Sequence, residues 1–146
     1  MIRIKSLLTL YCFLLISCQS IETHESLDKG TKDRLKKLGI LADNERIIQY
    51  YSNLEKDKAG NFFTDKRIAH YWLDDSDNSK TEISFSYYQD IVSIDTNFNV
   101  QDFDLPFMTI KKKDSSSFKV YIDGTKEEKK IFFTSAIERW KMAKVK

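Results

Sequence analysis

Thr125-Lys126-Glu127-Glu128-Lys129-Lys130-Ile131-Phe132-Phe133-Thr134-Ser135-Ala136-Ile137-Glu138-Arg139-Trp140 is the stretch that decides the fold. Thr125 with Glu128 three residues on fits a capping box, in which hydroxyl and carboxylate satisfy each other's backbone N–H groups. Behind the cap, Phe133, Ile137 and Trp140 recur at helical spacing. Acids near the start and Lys141, Lys144 and Lys146 near the finish complement the helix dipole. The stretch reads as a closing helix over about 125–143, and its aromatic stripe needs a sheet to cover.

The chain ahead of it supplies that sheet. Beyond Asn44 it is rich in β-branched and aromatic residues, punctuated by turn formers at Lys58-Ala59-Gly60-Asn61, Asp74 to Ser79, Asn97 to Asn99, Asp114 to Ser117 and Asp123-Gly124. Strands are expected at Arg46 to Asn53, Asn61 to Leu73, Thr81 to Tyr87, Ile91 to Thr96, Leu105 to Lys111 and Phe118 to Ile122. Within Thr81 to Tyr87, Ile83, Phe85 and Tyr87 alternate onto one face. The pattern implies an α+β domain of about seven short antiparallel strands, an open barrel or orthogonal sandwich that an amphipathic C-terminal helix closes. Further out, Lys32 to Leu38 reads as a short helix capped by Thr31 and ended by Gly39.

The other end of the chain is of a different kind. Residues 1–17 open on Arg3 and Lys5 and continue through the apolar run Leu7 to Ile16, which at ten residues is half the roughly 20 that span a bilayer. The run ends in Leu15-Ile16-Ser17-Cys18, which resembles the bacterial lipobox: an aliphatic residue, a tolerant position and a small residue ahead of the cysteine that receives lipid. The resemblance implies a signal peptide over 1–17 and acyl chains, palmitate among them, on Cys18. The protein is then membrane-anchored and extracytoplasmic in a bacterial envelope, on the outer membrane if the cell is Gram-negative. An ordinary secretory signal with an incidental cysteine, or an uncleaved anchor, is the plainer reading. The polar, aperiodic 18–30 reads as a flexible tether ahead of a domain over 31–146.

Composition bounds the rest. The chain has 146 residues, 41% of them apolar and 32% charged, with one proline and four glycines, which suits one folded domain. Mean hydropathy is −0.47, so a polytopic membrane protein is excluded. Of 24 basic residues, Arg3 and Lys5 leave with the signal, and the remaining 22 balance 22 acids. A formally neutral mature protein gives no warrant for nucleic-acid binding through bulk charge. With Cys12 removed and Cys18 lipidated, no intramolecular disulfide remains and stability rests on packing.

Catalytic and metal-binding patterns are sparse. Of two histidines, His24 lies in the tether and His70 within a strand beside Tyr71 and Trp72, where a ring hydrogen-bonded to backbone is the plain expectation. A serine nucleophile would require His70 as its base, but no Gly-x-Ser-x-Gly elbow occurs, and four glycines make no phosphate loop. Asp74-Asp75-Ser76-Asp77-Asn78-Ser79-Lys80 invites a calcium reading. A twelve-residue loop opened by Asp75 puts Lys80 at the glycine position and Ser86 at the closing glutamate, so a solvated hairpin loop is expected. Lys111-Lys112-Lys113 and the closing helix's lysines offer contacts to anionic headgroups, against neighbouring acids that make them an ordinary solvated surface. Tyr50, Tyr51, Tyr71, Trp72, Tyr87 and Tyr88 cannot all point inward from alternating strands, and those left outside suit a protein-binding face. No catalytic residue, cofactor or metal ligand is assigned.

Three stretches carry a further resemblance. Asp43-Asn44-Glu45-Arg46-Ile47-Ile48, Phe62-Phe63-Thr64-Asp65-Lys66-Arg67-Ile68 and Tyr88-Gln89-Asp90-Ile91-Val92-Ser93-Ile94 resemble segments of the bacterial PH-like domains, small β-barrels or sandwiches closed by a C-terminal helix. In the second stretch Thr64-Asp65 turns the chain through side-chain hydrogen bonds, and Arg67 lies across a strand with its stem on apolar neighbours. The resemblance implies a scaffold for binding proteins, peptides or lipids. The expected function is a non-enzymatic, lipid-anchored binding module for a protein or peptide partner, captured at a strand edge. An immunity or inhibitor lipoprotein that blocks a toxin or lytic enzyme is the nearest alternative, and a small hydrolase whose carboxylates converge only in the fold is another.

Overall fold

The computed structural model describes residues 21–98 and 106–145. The signal over 1–17, Cys18 and the strand position Leu105 lie outside the described residues. Sheet A has the order β1-β2-β3-β4, with β1 Ile47–Tyr51, β2 Ala59–Thr64, β3 Arg67–Trp72 and β4 Glu82–Tyr87; sheet B has the order β5-β6-β7, with β5 Ile91–Asn97, β6 Phe107–Lys112 and β7 Ser117–Tyr121. All pairings are antiparallel. Helices α1 Lys29–Lys37 and α2 Lys126–Lys144 complete the chain. The α+β architecture of seven strands with a closing helix is as the sequence implies.

Sheet A is covered on both faces, which explains why β2 is buried throughout and shows no alternation. On one face Tyr51, Phe63 and Ile68 meet Ile91, Met108, Ile110, Phe118, Val120 and Ile122 from the sheet B side, with Phe132, Phe133 and Ala136 of α2. On the other, Tyr50, Phe62, Ala69 and Tyr71 meet Leu27, Leu35, Ile40 and Leu41. Adjacent residues such as Tyr50 and Tyr51 are thus both buried, one in each core. Between β2 and β3 the Thr64 hydroxyl accepts from the Lys66 and Arg67 N–H groups at 2.9 and 3.0 Å and turns the chain. The expected single strand from Asn61 to Leu73 is therefore a hairpin.

Gly60, read as part of a turn, sits inside β2. A Cβ there would fall 2.5 Å from the Tyr71 ring and 2.6 Å from the Tyr50 hydroxyl, so the glycine admits two tyrosines that cross its strand.

The closing helix has its capping box, with Thr125 as N-cap and Glu128 returning to the Thr125 N–H at 2.7 Å. Its buried residues are Phe132, Phe133 and Ala136. Ile137 and Trp140 pack on the margin of the core, so Phe132, absent from the expected stripe, takes the position given to Trp140.

The flexible tether is a correction. Glu22 bridges Tyr50 through N–H···O bonds of 2.9 and 2.8 Å, the His24 N–H donates to the Ile47 carbonyl, and Leu27 is buried. Polar residues in this segment are occupied by backbone pairing, which an apolar-periodicity reading does not register. The cap of α1 is Asp28, whose carboxylate accepts from the Thr31 N–H and hydroxyl at 2.8 Å each, and the helix starts at Lys29. Thr31 is inside it, and Gly39, at φ 74°, ends it. No helix among the described residues is long and apolar enough to cross a membrane.

Candidate functional site

Strand β4 closes one side of sheet A, with no strand beyond it among the described residues. The Tyr88 N–H donates to the Lys66 carbonyl at 3.1 Å. Antiparallel alternation then turns the backbone groups of Glu82, Ser84 and Ser86 toward β3, and those of Ile83, Phe85 and Tyr87 away from the sheet. The opposite side, at β1, is bridged by Glu22.

The side chains that alternate onto one face of β4 lie at its surface. Ile83 is 41% exposed and Tyr87 38%, with Phe85 half-buried between them. They share the face of Arg67, Ala69 and Tyr71 on β3, which is the face that α1 covers over Ala69 and Tyr71 but not over Ile83. A cavity of about 450 Å³ runs beside the strand, lined by these three residues with Asp90, Lys112 and Lys113.

Arg67 fixes the aromatic pair. Its guanidinium is buried, stacks 4.7 Å from the Phe85 centroid and 4.4 Å from the Tyr87 centroid, and donates to the Tyr87 hydroxyl at 2.9 Å. Glu45, equally buried, accepts from Arg67 Nε at 2.8 Å and from the Ala42 N–H at 2.7 Å. Expected to rest on its stem, Arg67 instead buries its head. The signal available in sequence was an acid at Glu45 just ahead of a strand, but only pairing brings the two together.

A second cavity, about 350 Å³, lies where β3 and β7 end, lined by Leu54, His70, Trp72, Tyr121 and Asp123 among others. His70 is buried and its Nδ1 lies 2.9 Å from Asn61 Oδ1. The bond is to a side chain rather than to backbone. Burial pushes the His70 pKa down, which keeps the ring neutral near pH 7. Asn61 Oδ1 also accepts from the Tyr121 N–H at 3.3 Å.

The other candidates disperse. Asp74 Oδ1 accepts from Ser76 N–H, Ser76 hydroxyl and Asp77 N–H, and Asp77 Oδ1 from Ser79, so the acidic loop is a pair of side-chain turns. These hydrogen bonds hold both carboxyls below the usual range. Lys111 pairs with Asp95 and Lys112 with Asp114. Of the six aromatics in question, Tyr50, Tyr51, Tyr71 and Tyr88 are buried, while Trp72 and Tyr87 are exposed.

No protein-family model matches the chain, and no curated protein does. Among solved structures it is similar to the crystal structure of a DUF1696 family protein with a pleckstrin-homology domain from Shewanella loihica PV-4. Identity is 14%, over 83% of this chain and 97% of that one, at a TM-score of 0.52. The likeness is one of fold, and the fold is PH-like.

Proposed function

We propose that this PH-like domain is a lipid-anchored, non-enzymatic binding module of a bacterial envelope, tied to the membrane through Cys18, that captures an extended segment of a partner protein along β4. The observation that carries the reading is the outward-facing backbone of Ile83, Phe85 and Tyr87, flanked by exposed apolar side chains. Such an edge takes an added strand through main-chain hydrogen bonds, while alternate side chains enter neighbouring pockets. The cavity beside the strand gives the added segment a wall of mixed charge, Lys112 and Lys113 with Asp90 and Asp114. The lipobox supports the anchor, since several acyl chains at about 0.8 kcal/mol per buried CH₂ hold a domain stably.

A photo-crosslinking residue in place of Ile83, in the anchored protein in its own cells, tests this reading. A discrete adduct is expected at Ile83 and none at Val92, which is 55% exposed on β5. Equal, diffuse labelling at both positions contradicts it. For the anchor, Cys18→Ala should leave unprocessed precursor; continued cleavage after Ser17 with no lipid on the wild type contradicts the lipoprotein reading.

An inhibitor lipoprotein that blocks a toxin or lytic enzyme uses the same edge, and a tight, single crosslinked partner is its mark. A hydrolase gains less support. His70 does line a cavity with Asp123, but the carboxyls displaced from their usual range among the described residues are all lowered, by hydrogen bonds or ion pairs at the surface. A general acid needs a carboxyl raised by burial.

A further inference from the structure

His70 has a ring nitrogen that the fold leaves unused. Asn61 Nδ2 donates to Asn53 Oδ1 at 3.3 Å and Asn61 Oδ1 accepts from the Tyr121 N–H, so it is the amide oxygen that faces His70 Nδ1 at 2.9 Å. Nδ1 therefore carries the ring proton, and Nε2 presents a lone pair. The residue is only 6% exposed, yet Nε2 has no hydrogen-bond partner among the described residues and is not sealed from solvent. It opens on the cavity of about 350 Å³ where β3 and β7 end.

Asp123 is a second acceptor in that cavity. The Tyr51 hydroxyl donates to one of its carboxylate oxygens at 2.9 Å, and the group forms no ion pair among the described residues. Glu82, paired with Trp72 across β3 and β4, adds another carboxylate without an ion pair to the same face of sheet A. The lysines of the adjoining segments are engaged elsewhere: Lys58 with Asp75, Lys80 with Asp77 and Lys119 over the Phe107 ring. Around the acceptors the walls are apolar or aromatic, from Leu54, Trp72 and Tyr121, and Leu54 and Trp72 stay 49% and 40% exposed.

These walls suit a ligand that donates hydrogen bonds, carries positive charge and brings an apolar stem. An ammonium group is drawn to the carboxylates and to aromatic faces, and one of its N–H bonds meets the lone pair on Nε2. A ring kept neutral by burial does not repel it. An anion would face Asp123 and Glu82, and a quaternary ammonium has no N–H for His70.

We propose that this cavity is a binding site for a primary ammonium ion on a short aliphatic or aromatic stem, with Asp123 as its counter-ion, His70 Nε2 as its acceptor, and Trp72 and Tyr121 as its aromatic walls. His70 and Trp72 alternate with Tyr71, the residue that shares its face with Ile83, so the site lies on the other face of sheet A and is separate from strand capture along β4. A free amine and a lysine side chain of a partner share this chemistry.

Titration of the full-length protein in non-ionic detergent with phenethylamine, followed by NMR through the Trp72 indole and His70 ring signals, tests the proposal. Both sets of signals should shift to saturation, and Asp123→Asn and His70→Phe should each weaken binding by roughly tenfold or more. Asp123→Asn keeps an oxygen for the Tyr51 hydroxyl and so preserves the fold even where His70→Phe does not. 2-Phenylethanol, which keeps the shape without the charge, and the N,N,N-trimethyl derivative, which keeps the charge without an N–H, should bind more weakly by a similar factor. Nα-acetyllysine methylamide, titrated in parallel, separates the two sources, the tighter ligand marking the one the site is built for. Absence of any shift at about 10 mM of both amines, equal affinity for 2-phenylethanol, or affinity unchanged in both variants overturns the proposal.

Discussion

Glu45 and Arg67, 22 residues apart, form a buried ion pair at 2.8 Å whose cation also lies over the Phe85 and Tyr87 rings. The pair joins the approach to β1 to the β3–β4 edge, so the geometry of the exposed strand depends on a charge held inside the fold. Removing one partner leaves the other charge buried and unpaired, a loss of about 3–5 kcal/mol. Glu45→Ala should show it in urea denaturation, whereas Glu45→Leu with Arg67→Met should recover much of the loss. Equal stability for Glu45→Ala and wild type contradicts the account.

The N-terminal segment belongs to the fold. Leu27 is buried beside Leu35 and Tyr50, and Leu27→Ala should cost about 2–5 kcal/mol. A truncation beginning at Lys29 should unfold at lower urea than the chain that retains residues 21–28. Coincident unfolding curves for the two lengths argue for a tether after all.

In the closing helix, Phe132 meets Phe63 edge-on at 5.3 Å, and Phe132→Ala should cost about 3–5 kcal/mol. Trp140 lies half-buried at the margin, so Trp140→Ala should cost clearly less. The reverse ranking in thermal or chemical denaturation contradicts the packing described.

How much of this was legible in the sequence follows from which forces are local. The capping box of Thr125 and Glu128 is a four-residue device and reads directly. So do the alternation of Phe118, Val120 and Ile122 on one side of β7 and the aromatic content of the sheets. What failed was whatever depends on a second layer. A strand covered on both faces loses its period, hence the misplaced turn at Gly60 and the unseen hairpin at Thr64. Exposure of Ile83 and Tyr87 follows from how far α1 extends, which no feature of β4 encodes. The Asn61–His70 bond and the Glu45–Arg67 pair are contacts made by strand pairing, and only the residue types were readable beforehand.

Stability should fall at both ends of the pH scale. Burial raises the Tyr71 pKa to about 12 and that of Tyr50 further, while each titrates near 10 when unfolded. Above pH 10 the unfolded chain therefore binds fewer protons, and stability declines as pH rises toward 12. At the acid end, burial lowers the His70 pKa, so below about 6.5 the unfolded chain binds the extra proton and stability falls with pH. Denaturation midpoints across pH, with tyrosinate absorbance, check both limbs, and His70→Gln should flatten the acid limb near neutrality. Stability that climbs from pH 10 to 12 contradicts the buried tyrosine pair.

Complementation of cells lacking the protein, with stable and membrane-attached variants, tests the binding account most directly. Ile83→Lys places a charge on an exposed strand position, where the stability change should stay within about 0.5 kcal/mol while an added strand is repelled. The account predicts loss of function for Ile83→Lys and retained function for His70→Ala. Full function in Ile83→Lys, with loss in an equally stable His70→Ala, contradicts it and moves the active feature to the His70 cavity.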